Sequence, residues 1–147
     1  MKRRNVAWIL QLPKVSPIAV CRRIMPQMFS EIVLAHFQNP RNSGDLSDAT
    51  AVIEVTNPVC GDVLKLSARL ENGVVTAARF KAQGCVASIA AASVLTEQLA
   101  GKSLQDAKKI TPAQISEALG GLPPTTLHAA QLCCDAVAAL LRKINRD

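Results

Sequence analysis

A two-residue turn signal organises this chain. Asn72-Gly73 stands between two stretches of alternating apolar residues. Both central positions of a type I′ hairpin turn need positive φ, which Asn and Gly adopt at least cost. Before the turn, Leu64, Leu66, Ala68 and Leu70 share one face of a strand, with Lys65, Ser67 and Arg69 on the other. After it, Val74, Thr76, Ala78 and Phe80 share a face in a return strand ending near Lys81. An earlier stretch, Thr50 to Thr56, alternates through Ala51, Ile53 and Val55 until Asn57-Pro58 breaks it. The pattern predicts a three-stranded antiparallel meander.

Beyond Gly84-Cys85 the alternation stops. Small and aliphatic residues run to Ala100, a helix whose small side chains permit close backbone packing, and Gly101 is its natural stop. Ser103-Leu104-Gln105-Asp106 resembles a capping box and opens a short helix; Thr111-Pro112 opens another that ends at Gly120-Gly121. Leu122-Pro123-Pro124 is a rigid link into a last helix from about Thr126 to Lys143, with Leu132, Ala136, Ala139 and Leu140 at helical spacing. Ahead of the sheet, residues 30–38 read as a helix capped by Ser30, followed by turn chemistry from Asn39 to Gly44. The expected fold class is therefore α+β: a small three-stranded antiparallel sheet packed against C-terminal helices.

Composition narrows the function. The net charge of +6 suggests an anionic partner until its distribution is read: residues 1–27 hold six basic side chains and no acid. From Met28 onward eleven Lys and Arg face eleven Asp and Glu, so the domain is neutral, and the whole chain offers only four aromatics (Trp8, Phe29, Phe37, Phe80) for base stacking. A nucleic-acid partner is not expected. Nor is a membrane span: the uncharged stretch from Ala82 to Thr96 is too short and too polar.

Residues 1–27 read as a basic, unstructured extension, and 28–147 as the domain. The extension's apolar run from Val6 to Leu12 is interrupted by Gln11 and closed by Pro13-Lys14, which fits a secretory signal poorly. An acid-free start containing Arg also has the composition of an organelle transit peptide. The plainest expectation is an extension upstream of a start at Met28, in a cytoplasmic protein.

Five cysteines (Cys21, Cys60, Cys85, Cys133, Cys134) are an odd number at spacings unlike a disulfide framework. Reduced thiols are either packing or chemistry. Cys60 lies in a Pro/Gly turn between strands, with Asp62 two residues on; Cys85 lies where strand becomes helix; His128 opens the last helix. A helix N-terminus favours an anion such as a thiolate, the form that binds metal or attacks sulfur. Taken singly, each has a bland alternative: Cys85 as a small buried residue, Asp62 as a turn former, His128 as a surface or capping histidine. If the short sheet packs on the helices, one sheet end is expected to bring these three places together.

From Ser30 to the C-terminus the chain resembles the iron–sulfur cluster assembly scaffolds of the IscU and NifU N-terminal family. The resemblance rests on Ala35-His36-Phe37-Gln38-Asn39-Pro40-Arg41-Asn42, on Cys60-Gly61-Asp62-Val63, and on Arg79-Phe80-Lys81-Ala82-Gln83-Gly84-Cys85. It continues through Thr96-Glu97, Gly101-Lys102-Ser103-Leu104, and Leu122-Pro123-Pro124 followed by His128. It implies a non-enzymatic scaffold that takes sulfane sulfur from a cysteine desulfurase and iron from a donor. Such a scaffold assembles a labile [2Fe–2S] cluster and passes it to apo iron–sulfur proteins; a homodimer is a further candidate assembly. Carried over by position, Cys60 and Cys85 are ligands and sulfur acceptors. Asp62 is the acidic neighbour that keeps the cluster transferable, and His128 is a ligand or proton donor.

Two departures stand out. The family's third cysteine follows the histidine directly, where this chain has Ala129; Cys133, about one turn further along the same helix face, is a candidate displaced ligand, and core packing is its competing role. Thr125-Thr126 occupies the place where members served by a dedicated chaperone resemble Val-Lys, so that chaperone is not implied as a partner. Three readings follow. One is a working scaffold using Cys60, Cys85, Cys133 and either Asp62 or His128. The second is a zinc-bound sulfur acceptor serving a desulfurase, with Cys60, Asp62, Cys85 and His128 as four tetrahedral ligands. The third is a degenerate relative that only contacts the assembly machinery. A resident iron ion in place of zinc fits the same ligands.

Overall fold

The structure is a computed structural model and describes residues 29–146; the expected extension, including Cys21, lies outside the described residues. Helix α1 spans Glu31–Gln38, followed by strands β1 (Ala51–Thr56), β2 (Val63–Glu71) and β3 (Val74–Gln83). Helices α2 (Val86–Leu99), α3 (Leu104–Ala107) and α4 (Pro112–Ala118), a 3-10 turn (Pro124–Thr126) and α5 (Leu127–Arg146) complete the order. The strands form one antiparallel sheet in the order β1-β2-β3, with Ile53 opposite Leu66 and Leu66 opposite Phe80. The expected meander and the helices that follow it are both present. Asn72 and Gly73 take φ of 56° and 76°, the left-handed pair that the hairpin needs.

One strand differs from its expected facing. Between Arg69 and Leu70 the β2–β3 register shifts, so that Ala77 pairs with Arg69 but Val75 with Leu70, and Thr76 is the extra residue of a β-bulge. The bulge reverses the parity of the strand start. Val75, not Val74 or Thr76, is fully buried, while Ala78 and Phe80 point inward as expected. Thr76 Oγ1 holds the bulge by accepting from Arg69 Nε at 3.1 Å and donating to the Arg69 carbonyl at 3.2 Å. Ser67, expected on the open face, is also buried, because it sits on the central strand between Val52 and Arg79 on its neighbours.

Helix α2 packs against β3 and α5 against β1, covering one face of the sheet. Ala87, Ala90, Ala91 and Ala92 of α2 are fully buried, as are Ser93 and Leu95, so α2 is the central element, flanked by α1, β3, α4 and α5. Leu64, Leu66, Leu95, Leu99, Ile115, Leu119 and Leu140 fill the space around it. Each such side chain contributes roughly 1.5–3 kcal/mol by leaving water. Helix α5 is amphipathic, with Leu132, Cys133, Ala136, Val137 and Leu140 buried and Gln131, Asp135 and Arg142 exposed. It starts one residue later than expected, because Pro123 and Pro124 lead into a 3-10 turn in which Thr126 N–H donates to the Pro123 carbonyl at 2.9 Å. Among the described residues no helix is long and apolar enough to cross a membrane.

Candidate metal centre

Three chain segments meet at one end of the sheet. The first is the β1–β2 loop, tightened by Asn57, whose side-chain oxygen accepts from Val59 N–H at 2.8 Å and Cys60 N–H at 3.3 Å. The Asn57 N–H donates to the Asp62 carbonyl and the Gly61 N–H to the Asn57 carbonyl, both at 2.8 Å, closing the loop across its base. Cys60 is thereby held at an exposed tip beside Val59, whose side chain is almost wholly in solvent. Asp62 starts the turn back into the sheet and is buried, only 7% exposed.

The second segment, Gly84-Cys85, makes the strand-to-helix transition. Cys85 is the N-cap of α2 in extended backbone conformation, φ −76° and ψ 169°. Gly84 is needed for space: a Cβ there would lie 2.6 Å from Asp62 Oδ1 and 2.8 Å from Oδ2, inside van der Waals contact. Cys85 Sγ donates to Asp62 Oδ2 at 3.4 Å. The third segment is the start of α5, which brings His128 Nε2 to 3.9 Å from the same carboxylate oxygen. Ligand atoms of Cys60, Asp62 and His128 all lie within 4.8 Å of one another.

The carboxylate is the hub of this group. Burial works against its ionisation. Hydrogen bonds from Ser88, Cys85 and Cys60, with the Cys85 backbone, outweigh that cost and hold the Asp62 carboxyl below the usual carboxylate range. The site therefore presents an anionic oxygen, the Cys60 thiol and an imidazole close together, with the Cys85 thiol against the same carboxylate from the side of α2. Sulfur, nitrogen and oxygen donors in that combination suit zinc or iron.

Cys133 stands apart. Its side chain is 1% exposed within the hydrophobic core, and the metal-capable group does not include it. Burial, with the neighbouring Cys134, pushes its thiol far up, which disfavours the thiolate that a metal requires. Displacement by one turn from Ala129 keeps Cys133 on the buried stripe of α5. Ala129 itself is fully buried and offers no donor atom. Cys134 is half-buried, donates to the Ile110 carbonyl at 3.6 Å, and has its thiol pushed up to about 11 by burial and by Asp135.

One site residue escapes a reading of the sequence. Ser88 is buried on the first turn of α2, and its hydroxyl donates to Asp62 Oδ2 at 2.5 Å while lying 3.4 Å from Cys85 Sγ. Nothing in the sequence separates it from the small packing residues of the same helix.

The sequence from residue 28 to residue 146 matches the profile of the NifU-like N-terminal domain. The chain belongs to that family. It is 43% identical over 110 residues to the iron–sulfur cluster assembly scaffold protein IscU 1 of Archaeoglobus fulgidus, a match covering 75% of this chain and 72% of the relative. It is 45% identical over 106 residues to the scaffold protein IscU of Aquifex aeolicus, covering 71% and 68%. Solved structures share the fold of this NifU-like domain at lower identity. A candidate iron–sulfur cluster assembly scaffold protein for the SUF system from Fervidobacterium islandicum superposes with a TM-score of 0.68 at 21% identity, covering 78% of this chain and 97% of the other. The N-terminal part of a NifU-like protein from Brucella abortus gives 0.64 at 20%, covering 84% and 98%.

Proposed function

We propose that this NifU-like domain is an iron–sulfur cluster assembly scaffold, a carrier rather than an enzyme. The observation that carries the reading is the convergence of Cys60, Asp62, Cys85 and His128 at one end of the sheet, in a family whose relatives are named as such scaffolds. Two thiolates, one carboxylate and one imidazole supply the four terminal ligands that two irons bridged by two sulfides need. The oxygen and nitrogen corners hold iron less firmly than sulfur does, which favours release to an apo-protein. Cys60 is the exposed thiol of the set and is suited to receive sulfane sulfur from the persulfide of a cysteine desulfurase, leaving that enzyme's thiolate behind. Exposed Val59 beside Cys60 and half-exposed Leu127 beside His128 give a sulfur donor apolar surface flanking the pocket.

Anaerobic reconstitution with iron and sulfide tests the reading. Visible charge-transfer absorption is expected in the native protein and in Cys133→Ala, and is expected to vanish in Cys60→Ala and Cys85→Ala. Absorption lost in Cys133→Ala removes the proposed ligand set. A second reading, a zinc-bound sulfur acceptor serving the desulfurase, is favoured by Ala129 and by the burial of Cys133, which leave the site two thiols instead of three. Purified protein carrying one zinc per chain and forming no cluster on reconstitution decides for it.

A further inference from the structure

Asp62 Oδ2 is approached by three side chains: Ser88 Oγ at 2.5 Å, Cys85 Sγ at 3.4 Å and His128 Nε2 at 3.9 Å. Two of these, Cys85 and His128, belong to the proposed ligand set. A thiol that becomes a metal-bound thiolate loses the hydrogen it donates, and an imidazole nitrogen that gives its lone pair to a metal has none to donate. The Ser88 hydroxyl is neutral, is not a ligand of the proposed set, and keeps its proton in both the empty and the loaded site. It is also fixed. Ser88 is 3% exposed and stands on the first turn of α2, the buried central helix, three residues after Cys85.

On the other side of the carboxylate, Gly84 leaves only the space of a missing Cβ. A carboxylate pressed against backbone on one side and tied by a hydroxyl on the other has little freedom to turn. From this geometry we infer that Ser88 is a positioning residue of the metal site. Its hydrogen bond fixes which way the Asp62 carboxylate presents its oxygens to the metal. Ser88 acts through Asp62 and does not itself bind the metal. Partners that orient a ligand in this way are worth about 10–100-fold in metal affinity.

The inference rests on the reading of this group as a metal site, and the experiment separates the two. Zinc affinity is measured by competition with a chromogenic chelator for the native chain, Ser88→Ala, Asp62→Ala and the double variant. Ser88→Ala is expected to weaken zinc about 10–100-fold in the native background and by less than about threefold once Asp62 is alanine. Ser88→Thr, which keeps the hydroxyl, is expected to stay within about threefold of native. This second variant holds the test open should the alanine variant fail to fold. Native-like affinity in Ser88→Ala overturns the inference. So does an equal loss in both backgrounds, since that marks a general effect on the fold. A native chain that binds no zinc removes the metal-site reading, and the role of Ser88 with it.

Discussion

Gly84 and Asp62 form a pair in which one residue supplies space and the other charge. With the carboxylate oxygens under 3 Å from where a Cβ would stand, Gly84→Ala forces Asp62 out of its pocket or moves the backbone that carries Cys85. The expected outcome is at least a tenfold loss of zinc affinity by chelator competition, with the far-UV circular dichroism of the fold retained. Native-like affinity would show that the carboxylate has room the structure does not assign it. Cys133→Ala belongs at the same scale and points the other way. It removes a buried sulfur from the core and is expected to cost about 1 kcal/mol in urea unfolding while leaving metal binding unchanged. Cys60, Asp62, Cys85 and His128 could be nominated from the sequence because soft and borderline ligands stand at its loop and helix starts. Ser88 could not, since a serine in an Ala-rich helix reads as a small packing residue until the fold brings Asp62 against it. Cys133 keeps the face of Ala129 but stands one turn further from the helix end that carries His128, inside the core.

At the scale of elements, turn and cap chemistry carried the most information. Thr111 accepts from Gln114 N–H at 3.2 Å, while the Gln114 side chain accepts from Thr111 N–H at 3.1 Å, a reciprocal capping box at the start of α4. Ser103 caps α3 through Asp106 N–H at 3.2 Å, without the reciprocal bond that an Asp is too short to make. The hairpin offers a direct test. Gly73 holds φ of 76°, where an L side chain meets its own backbone, so Gly73→Ala is expected to destabilise the domain by about 1–2 kcal/mol. Urea denaturation reads this, and a change below a few tenths of a kcal/mol would mean that the turn relaxes to another type. The strand after the turn was harder to read, and its composition explains why. Val74-Val75-Thr76-Ala77-Ala78 presents apolar residues in both registers, so alternation alone cannot choose which of Val74 and Val75 is buried. The choice comes from Thr76, whose hydroxyl binds Arg69 across the ladder and stabilises an inserted residue.

Across the whole molecule, α2 joins two polar clusters: the metal-capable group beside its N-terminus and a buried histidine clip toward its C-terminus. His36 on α1 lies 2.7 Å through Nδ1 from Ser93 Oγ, which also accepts the Arg41 N–H at 2.8 Å. A neutral imidazole accepting the Ser93 proton satisfies all three groups, and this tautomer is assigned from the network. Burial is the largest influence on His36 and lowers its pKa; Glu97, 3.7 Å away, pulls it up, Arg41 pushes it down, and the balance is a value below 6.5. A histidine depressed in the folded state binds its proton more readily once unfolded. Its contribution to stability is therefore complete above the unfolded value and declines as pH falls from about 6.5 toward the folded pKa. Metal-free protein should accordingly show a urea midpoint that drops between pH 7.5 and pH 5, and His36→Gln should show a shallower drop. Both proteins keep His128, so the difference between them reports His36 alone. Equal slopes in the two would remove His36 as the source. Because the clip ties α1 and the Asn39–Asn42 turn to the helix that begins at Cys85 and Ser88, the same acidification should raise amide hydrogen exchange along α2 from Ser93 to Thr96 before it does so in the β2–β3 hairpin.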